Sequence, residues 1–474
     1  MKKNRKVSWS LMCAVIVLAA ASQPCGAEGP ERVPASEWLI NTIDQTREVG
    51  QDVAVATDPI TDDIYISYYD DDQNDLWLAR TGAPSGNCGP GNQWDCRVVA
   101  TSGAVGKASS IAVGGTGTIA AVWISYYDES LGNLKLAKWR FDRVTGDLLT
   151  AESYTVDPGD PAGSGIRKGT RTSVTINASG NPEIAYQVTF ASATRSVKHA
   201  YPVAPGTGNC GYGSALDAWQ CESVHIEDGI GDYLDIDVGP GGVTNIAFST
   251  TAGANAHPVI AIDVGSGGSC SSGTFTCAPI MHTNNDTGEY LSFEIATGGV
   301  KNLAYRNETT DSLEWASYVG PGLGNCGPGD DSYQCEWIDD IGPGTSPAGI
   351  DMKTDGDGDP IIAYQDLESG YEDLKIAWPV GGLPGSGGNC GPLSAFMEYM
   401  WLCDTLEEGD LSHEEAVGGL SIALNANDEA AVAYREVWGT PPTDGRLKIA
   451  LEPISIFLDG FESGDTSRWS ATVP

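Results

Sequence analysis

The feature that most constrains this chain is a motif that it repeats. Residues 66–79 read ISYYDDDQNDLWLA, and residues 124–137 read ISYYDESLGNLKLA. An apolar residue, a small residue and an aromatic residue in succession mark seven such copies, spaced 57 to 70 residues apart. A period of this length indicates a repeat architecture in which each copy is one supersecondary unit. The aromatic markers are Tyr68, Tyr126, Tyr186, Phe248, Tyr305, Tyr364 and Tyr434.

Each copy has the same internal order of short segments. An alternating segment and a turn precede the marker strand, a third strand such as LKIA at residues 374–377 follows it, and a Gly-rich loop leads to a fourth segment. Runs of β-branched and aromatic residues bounded by Gly, Asn, Asp and Pro predict strands, and no long segment has helical periodicity. The sequence therefore predicts an all-β fold, a seven-bladed β-propeller with four-stranded antiparallel blades.

The seventh copy ends before its fourth strand. Residues 38–44, WLINTID, resemble the fourth strand CEWIDD at residues 335–340. We therefore expect the N-terminal strand to complete the last blade, which ties both ends of the ring together and leaves no long edge unpaired. The alternative is that residues 454–458, ISIFL, supply this strand.

The two ends of the chain lie outside the repeat. Residues 1–27 combine four basic residues at the start, a short apolar run and a small-residue site, which is typical of a secretory signal peptide. We expect a signal peptide at 1–27, a propeller at 28–453 and a C-terminal tail at 454–474. This organisation predicts an exported protein, secreted or at the cell surface, without a membrane span.

The charge of the chain limits its partners. The formal net charge is −38, and it becomes −42 without residues 1–27, which carry four basic and no acidic residues. A field of this sign repels nucleic acid and anionic lipid headgroups and attracts cations, Ca²⁺ included. We expect a monomer that binds no nucleic acid.

Ten cysteines remain outside the signal peptide, and they form five pairs of near neighbours. An even number of cysteines in local pairs, in an exported chain, predicts disulfides. The spacings and the few histidines do not match a zinc site. The expected pairs are Cys88 with Cys96, Cys210 with Cys221, Cys270 with Cys277, Cys326 with Cys335, and Cys390 with Cys403.

The recurring aromatic residue is interpreted as packing between neighbouring blades, with the small residue beside it making room. An aspartate follows in several copies, and it either orders the next loop through backbone N–H groups or contacts a ligand. The candidate ligand-binding residues are Tyr69, Asp70, Tyr127, Asp128 and Asp366.

One acidic turn is a candidate calcium site. Residues 355–359 read DGDGD, and alternate carboxylates in such a turn could ligate a single Ca²⁺ through Asp355, Asp357 and Asp359. Other copies have plain turns at this place, so the alternative is a β-turn with acidic side chains. The sequence implies no other cofactor.

The signals for catalysis are weak. No nucleophile elbow, metalloprotease motif or phosphate loop is present, and the arginines do not recur in register. Repeated geometry without a non-repeated catalytic cluster favours an extracellular binding module for a glycan or a protein. The alternative is a polysaccharide hydrolase or lyase with an acidic site on the axis. A lectin is expected to reuse equivalent positions in several blades, whereas an enzyme breaks the symmetry at one place.

The repeats at residues 66–70, 124–128, 134–137 and 374–377 resemble a family of secreted bacterial propeller repeats of the type ISYYD…LKYA. The resemblance covers about residues 38–451 and implies a shape like that of sialidase-type or fucose-lectin-type propellers, without implying one activity. The tail at residues 457–469, FLDGFESGDTSRW, is similar to a short C-terminal segment of otherwise unrelated secreted bacterial proteins. That likeness implies a sorting tag or the stub of another module.

Overall fold

The computed structural model describes residues 32, 34–160, 163–192, 194–211, 218–228, 230–250, 256–280, 286–327, 331–343, 349–367, 372–409, 419–438 and 444–453. The predicted signal peptide, the C-terminal tail and the alternative closing strand at 454–458 lie outside these residues. The predicted domain boundaries therefore stay predictions. Among the described residues, no helix has the length and apolarity that a membrane span requires.

Seven antiparallel sheets form a ring, and each sheet is one blade whose first strand lies innermost. This arrangement confirms the predicted seven-bladed β-propeller. The only helical pieces among the described residues are two 3₁₀ turns, Ala35–Glu37 and Pro90–Asn92. The strands are β1 (Leu39–Asp44), β2 (Val49–Thr57), β3 (Ile64–Asp70), β4 (Asp75–Arg80), β5 (Asp95–Ala100), β6 (Val105–Gly114), β7 (Ile119–Asp128), β8 (Asn133–Asp142), β9 (Leu148–Asp157), β10 (Arg167–Ile176), β11 (Pro182–Thr189), β12 (Thr194–Pro202), β13 (Trp219–Asp228), β14 (Leu234–Gly239), β15 (Val243–Thr250), β16 (His257–Asp263), β17 (Phe275–Pro279), β18 (Thr287–Ile295), β19 (Lys301–Asn307), β20 (Ser312–Tyr318), β21 (Tyr333–Asp340), β22 (Ile350–Thr354), β23 (Pro360–Asp366), β24 (Asp373–Pro379), β25 (Cys390–Leu393), β26 (Tyr399–Glu407), β27 (Leu420–Leu424), β28 (Ala430–Trp438) and β29 (Asp444–Leu451).

Blades 1 to 5 follow the chain in order, from β2–β5 to β18–β21. Blade 6 has a fifth strand, because the short β25 pairs with the outer side of β26. Blade 7 consists of β27, β28 and β29 together with β1, which pairs antiparallel with β29 from Leu39 opposite Leu451 onward. The N-terminal strand therefore closes the ring, as the sequence predicts.

The recurring aromatic side chains pack between blades. All seven are at most 1% exposed, and each belongs to a separate core cluster that joins two neighbouring blades. Tyr434 of blade 7, for example, packs with Ala363 of blade 6, and Tyr305 of blade 5 packs with Ala247 of blade 4. The small residue before each aromatic makes room for this contact. Burying a large side chain of this kind contributes about 1.5–3 kcal/mol, so the seven contacts help to hold the ring together.

Most of these tyrosines also bond across the blade junction through their hydroxyls. The hydroxyl of Tyr186 donates to Asp157 (2.7 Å), and that of Tyr364 donates to Asp339 (2.7 Å). In both cases the carboxylate comes from the outer strand of the preceding blade. A buried hydroxyl needs such a partner, and the acid near the end of the fourth strand supplies it.

All five predicted disulfides are present, in blades 1, 3, 4, 5 and 6. Each joins cysteines 7 to 13 residues apart, at the loop between the third and fourth strands. Closing a loop of this size restricts the unfolded chain by roughly 2–3 kcal/mol in the chain-entropy model. Disulfides of this kind are typical of proteins that fold in an oxidising compartment.

Candidate functional site

The register of the inner strands places equivalent residues of all seven blades around the axis. In every blade, one inner-strand residue pairs with the small residue that precedes the aromatic marker. We call these seven residues the latch row. They are Ala54, Ser110, Ser173, Asp235, Ser292, Asp351 and Ser421. Counting from this row assigns every other level of the channel.

Two residues before the latch row lies the mouth row, at the end of the channel where the inner strands begin. Its seven residues line a cavity of about 330 Å³. Blades 6 and 7 contribute glycines, blades 4 and 5 contribute tyrosines, and blades 1 and 3 contribute residues of opposite charge. The channel mouth is therefore asymmetric, although the blades repeat the same fold. The mouth row is Asp52, Ala108, Arg171, Tyr233, Tyr290, Gly349 and Gly419.

A bulge in the inner strand presents these side chains to the cavity. The pairing with the second strand shifts register just before the latch row in blades 1, 2, 3 and 5. Asp52, Ala108 and Tyr290 adopt left-handed φ angles of 47°, 51° and 50° there. Such angles are uncommon for residues other than glycine, and a bulge of this kind re-aims a side chain away from the sheet.

A glycine two residues earlier lets the strand approach the preceding blade. A Cβ at Gly106 would lie 2.7 Å from Leu76 Cβ, and a Cβ at Gly288 would lie 2.7 Å from the backbone nitrogen of Pro258. Both φ angles are positive, at 113° and 98°. Only glycine suits such a close approach with this backbone conformation.

Aromatic and charged groups face each other at the mouth. The rings of Tyr233 and Tyr290 lie 4.5 Å apart at a 47° angle, and their hydroxyls are hydrogen bonded. Desolvation by burial and this contact raise the pKa of Tyr233, so both phenols stay neutral. Arg171 is exposed, and its guanidinium donates to the carbonyl oxygens of Asp232 (2.9 Å) and Thr170 (3.1 Å).

Asp52 lies in the same ring. Its side chain is exposed to the cavity, and the nearby protein atoms desolvate the carboxylate enough to raise its pKa. The backbone N–H of Ala108 and the charges of Arg171, Lys107 and Arg435 oppose that shift. The mouth thus combines two neutral phenols, one guanidinium and one carboxylate whose pKa is raised.

Below the mouth lies a ring of seven residues that line both the mouth cavity and the next cavity. Five of the seven residues at this level are Val, Leu or Ile, and two carry hydroxyls. This largely apolar ring separates the mouth from the lower cavity of about 630 Å³. It consists of Val53, Ser109, Thr172, Leu234, Leu291, Ile350 and Leu420.

The latch row bonds neighbouring blades to one another. Asp351 accepts the hydroxyls of Ser292 and Ser421 (both 2.8 Å) and the backbone N–H of Ile422 (2.9 Å), so it joins blades 5, 6 and 7. Asp235 accepts the hydroxyl of Ser173 (2.6 Å) and the backbone N–H of Phe293 (2.9 Å), so it joins blades 3, 4 and 5.

Single hydroxyls make the remaining junctions. The backbone N–H of Val174 donates to Ser110 (3.1 Å), and that of Val55 donates to Ser421 (3.2 Å). The hydroxyl of Ser109 donates to the carbonyl oxygen of Asp52 (2.7 Å). Every junction of the ring thus has a polar bond near the axis, because a short polar side chain occupies the point where two inner strands meet.

Two residues beyond the latch row lies a lower row with charges in blades 4, 5 and 6 only, Asp237, Glu294 and Lys353. Glu294 accepts the backbone N–H of Thr354 (2.6 Å), and Asp237 accepts that of Ile295 (2.9 Å). Desolvation by burial raises the pKa of Glu294 to about 7 and that of Asp235 to about 6. The charges of Glu294 and of the nearby aspartates raise the pKa of Lys353, which is therefore a permanent cation.

The predicted ligand-binding residues lie on the mouth face of blades 1, 2 and 6, but none lines the channel. The carboxylate of Asp70 accepts the backbone N–H of Gln73 (3.0 Å), and that of Asp128 accepts the backbone N–H of Leu131 (3.0 Å). Asp366 pairs with Lys375 at 2.5 Å. These contacts support the loop-ordering interpretation of the recurring aspartate, and its contact with a ligand stays a prediction.

The two tyrosines beside these aspartates are also buried. The hydroxyl of Tyr69 donates to Asn74 (2.7 Å), and Tyr127 is 5% exposed. The structure therefore does not bring the five predicted residues together into one site.

The predicted calcium turn lies at the opposite end of the channel from the mouth. The carboxylate of Asp355 accepts the backbone N–H groups of Asp357 (3.1 Å) and Asp359 (2.9 Å), as in an ordinary Asx-stabilised turn. Within the described ranges, no group of three or more His, Cys, Asp or Glu side chains is placed to hold a metal ion. Calcium binding here stays a prediction, and the geometry supports the acidic-turn alternative.

The mouth row escaped the sequence analysis because its residues do not recur, although a signal for it exists. In blades 1 to 5, each mouth residue follows a glycine by two positions, as in Gly50-Gln-Asp52 and Gly288-Glu-Tyr290. Aligning the copies on their aromatic markers and reading this Gly-x-X position would have found it.

No protein-family model and no curated protein matches the chain. Solved structures with a similar arrangement include a protein of unknown function from Dyadobacter fermentans, at 10% identity over 89% of this chain and 99% of that chain, with a TM-score of 0.42. A Hadza microbial sialidase matches at 10% identity over 87% of this chain and 67% of its own, with a TM-score of 0.41. The fucose-specific lectin from Aleuria aurantia matches at 12% identity over 72% of this chain and 96% of its own, with a TM-score of 0.37. At such identities the likeness concerns the propeller fold alone.

Proposed function

We propose that this chain is an extracellular binding module that takes a glycan at one axial site, the mouth row. The observation that carries the proposal is the lining of the mouth: its seven equivalent positions are asymmetric, as in one unique site, but they include a single carboxylate, whereas glycoside hydrolysis needs a pair. Two tyrosines stand side by side in blades 4 and 5, two glycines leave the space beside them open in blades 6 and 7, and Asp52, Ala108 and Arg171 complete the ring. Aromatic rings beside a few polar groups in a concavity are typical of small-ligand sites.

The size of the mouth favours a sugar over a protein surface. A cavity of about 330 Å³ lies at the small end of ligand pockets, which span about 300–1,000 Å³. It accommodates one or two sugar units, whereas protein partners usually bind to broader surfaces. A single site is also favoured over several equivalent sites, because the repeated Tyr and Asp side chains bond within the protein.

A glycan array followed by titration calorimetry tests the proposal. Tyr233→Ala and Tyr290→Ala are each expected to weaken binding at least tenfold. Tyr399→Ala is the matched control, because Tyr399 is 41% exposed on the outer part of blade 6, away from the channel. Unchanged binding in both mouth variants would contradict the proposed site.

A second candidate function is hydrolysis or lysis of a polysaccharide in the lower cavity. The observation that favours it is the carboxyl group of Glu294, whose pKa of about 7 suits a general acid at neutral pH. The asymmetric charges of blades 4 to 6 are also what an axial catalytic site requires. Against it, Glu294, Asp235 and Asp237 each accept a backbone N–H from the next blade, which gives them a role in holding the ring.

A polysaccharide degradation panel separates the two functions. Turnover by the unmodified protein that Glu294→Gln abolishes would establish the hydrolase or lyase and replace the pure binding module. Binding at the mouth without turnover of any polysaccharide supports the module.

A further inference from the structure

The partners of Arg171 bear on which kind of sugar the mouth binds, and this inference rests on the proposed function. Two of its N–H groups are occupied by the carbonyl oxygens of Asp232 and Thr170, which fix the guanidinium in place. Neither partner carries a charge at these atoms. No carboxylate among the described residues forms an ion pair with Arg171, in a chain with 64 acidic residues and 26 basic ones.

Three neighbouring cations of the mouth face are paired. Arg195 pairs with Asp232, Arg435 with Glu48 at 2.8 Å, and Lys107 with Glu129 at 2.8 Å. Arg171 is thus the one residue of the mouth row that brings a positive charge to the cavity wall, and its charge is not compensated by a direct contact there. Arginine is well suited to carboxylates, because its planar N–H groups match the two oxygens.

Asp52 does not serve as the missing counter-ion. The two groups are close enough for Arg171 to lower the pKa of Asp52, but they do not form a direct ion pair. Asp52 instead accepts the backbone N–H of Ala108 from the next blade. A ligand between the two side chains would meet a donor on one side and a carboxylate on the other.

The tyrosine pair supplies the second part of a sugar site. Tyr233 and Tyr290 stand in blades 4 and 5, next to Arg171 in blade 3, and Gly349 and Gly419 in blades 6 and 7 leave space across the ring from Arg171. Aromatic rings offer apolar surface together with a polar hydroxyl, which suits the mixed faces of a pyranose ring.

We propose that the mouth row binds a sugar unit that carries a carboxylate, a hexuronate, with Arg171 as the group that holds the carboxylate and the tyrosine pair against the sugar ring. The overall negative charge of the protein opposes the approach of an anionic glycan, so this affinity depends on the one guanidinium at the mouth. Salt screens both the attraction by Arg171 and the repulsion by the overall negative charge, so the affinity should depend on the salt concentration.

Matched ligands test the inference directly. Titration calorimetry would compare short oligogalacturonides and oligoglucuronides with the same oligosaccharides after reduction of each carboxyl group to an alcohol. The unmodified protein is expected to bind the acidic forms at least tenfold more tightly than the reduced forms. Arg171→Gln should remove this preference and leave weak binding of both.

Two further variants sharpen the result. Asp52→Asn should strengthen binding of the acidic forms and leave the reduced forms unchanged, because the amide keeps the backbone hydrogen bond and removes a like charge. Arg140→Gln is the control matched for charge, since Arg140 is exposed on β8, away from the mouth.

The outcomes distinguish this inference from the function on which it rests. Equal binding of acidic and reduced sugars that still depends on Tyr233 and Tyr290 would overturn the carboxylate preference and keep the glycan site. A preference for acidic sugars that survives Arg171→Gln would overturn the role of Arg171. Binding of neither ligand set, with no other glycan bound on the array, would overturn both.

Discussion

At the mouth of the channel, Tyr233, Tyr290 and Arg171 line a cavity, whereas two residues farther along the same inner strands Asp235 and Asp351 bond to neighbouring blades. The strands and the repeat are alike at both levels, and the difference is the partner of each side chain. The aspartates of the latch row bond to the backbone of the next blade. The side chains at the bulge above them line the cavity instead. Polar residues on the axis of a propeller therefore have to be sorted by their partners before a function is assigned to them.

Removing the strand that closes the ring should have the largest effect and destroy both levels together. Deleting residues 28–44 removes β1, the partner of β29, and exposes the edge at residues 447–451. The loss includes Trp38, which packs against Trp378 and Leu406 of blade 6. The lost hydrogen bonds, about 0.5–1.5 kcal/mol each, and the lost burial are together comparable to a domain stability of about 5–15 kcal/mol.

We expect the deleted protein to aggregate or to melt far lower in a calorimetric scan. Deleting residues 459–474, outside the repeat, is the control and should change little. A neutral deletion of 28–44, with unfolding on loss of residues 454–458, would contradict the closure by β1.

Asp351→Ala should separate the two levels next. It removes the acceptor for two hydroxyls and one backbone N–H of blades 5 and 7. Hydrogen bonds to charged groups contribute about 1.5–3 kcal/mol each, so we expect a loss of at least about 3 kcal/mol in the free energy of unfolding. Urea denaturation would measure it. Asp357→Ala is the control in the same blade, because that aspartate is exposed, and a similar loss in both variants would remove the special role of the latch row.

Two buried carboxyl groups of the channel, those of Glu294 and Asp235, should make the protein more stable in mild acid. Carboxyls ordinarily titrate near pH 4 in the unfolded chain, whereas Glu294 and Asp235 keep their protons up to about pH 7 and 6 when folded. Between these values the folded state binds more protons, so its stability falls as the pH rises. The raised pKa of His199, which lies between Glu183 and Glu222, acts in the same direction, because its protonated form is lost as the pH rises.

The melting temperature is therefore expected to be higher at pH 5 than at pH 7.5, and Glu294→Gln should reduce this difference. A melting temperature that rises steadily between pH 5 and 7.5, with no response to Glu294→Gln, would show that these carboxyls do not control it.

The mouth variants should show the smallest effect on stability. Tyr290 bonds to one neighbouring blade only, through the hydroxyl of Tyr233, and Arg171 donates only to carbonyl oxygens, whereas Asp351 joins three blades through its carboxylate. A single neutral hydrogen bond contributes about 0.5–1.5 kcal/mol, so we expect a loss of less than about 2 kcal/mol for Tyr290→Ala and for Arg171→Gln in urea denaturation. A loss as large as that of Asp351→Ala would place the mouth row among the structural contacts and erase the contrast.

The sequence predicts the features that recur and misses those that do not. Tyr68 and its six counterparts reveal the blades, Trp38 and its neighbours reveal the closing strand, and the local cysteine pairs reveal the disulfides, because each serves the same contact in copy after copy. Asp52, Arg171 and Tyr290 differ from blade to blade, and a register shift at the bulge decides where they lie. That shift depends on the approach of Gly106 or Gly288 to the preceding blade, which is a contact across repeats.

The acidic residues also show that a local motif does not predict the contacts of a side chain. Asp355 belongs to a sequence that looks like a calcium loop, yet its oxygens bond to the backbone of its own turn. Asp235 and Asp351 stand in segments without any motif, yet they connect three blades each. The composition of a segment does not tell which backbone N–H will face it, because that depends on a strand about 60 residues away in sequence.

The pairing of β1 with β29 also determines how the protein faces its surroundings. Leu39 lies opposite Leu451, so the chain enters and leaves the ring at neighbouring points of blade 7. Inner strands start at the mouth, and successive antiparallel strands reverse direction, so both points lie on the face away from the mouth. The mouth and the two points where the described chain enters and leaves the ring therefore lie on opposite faces, so neither chain end of the ring is positioned to obstruct the mouth.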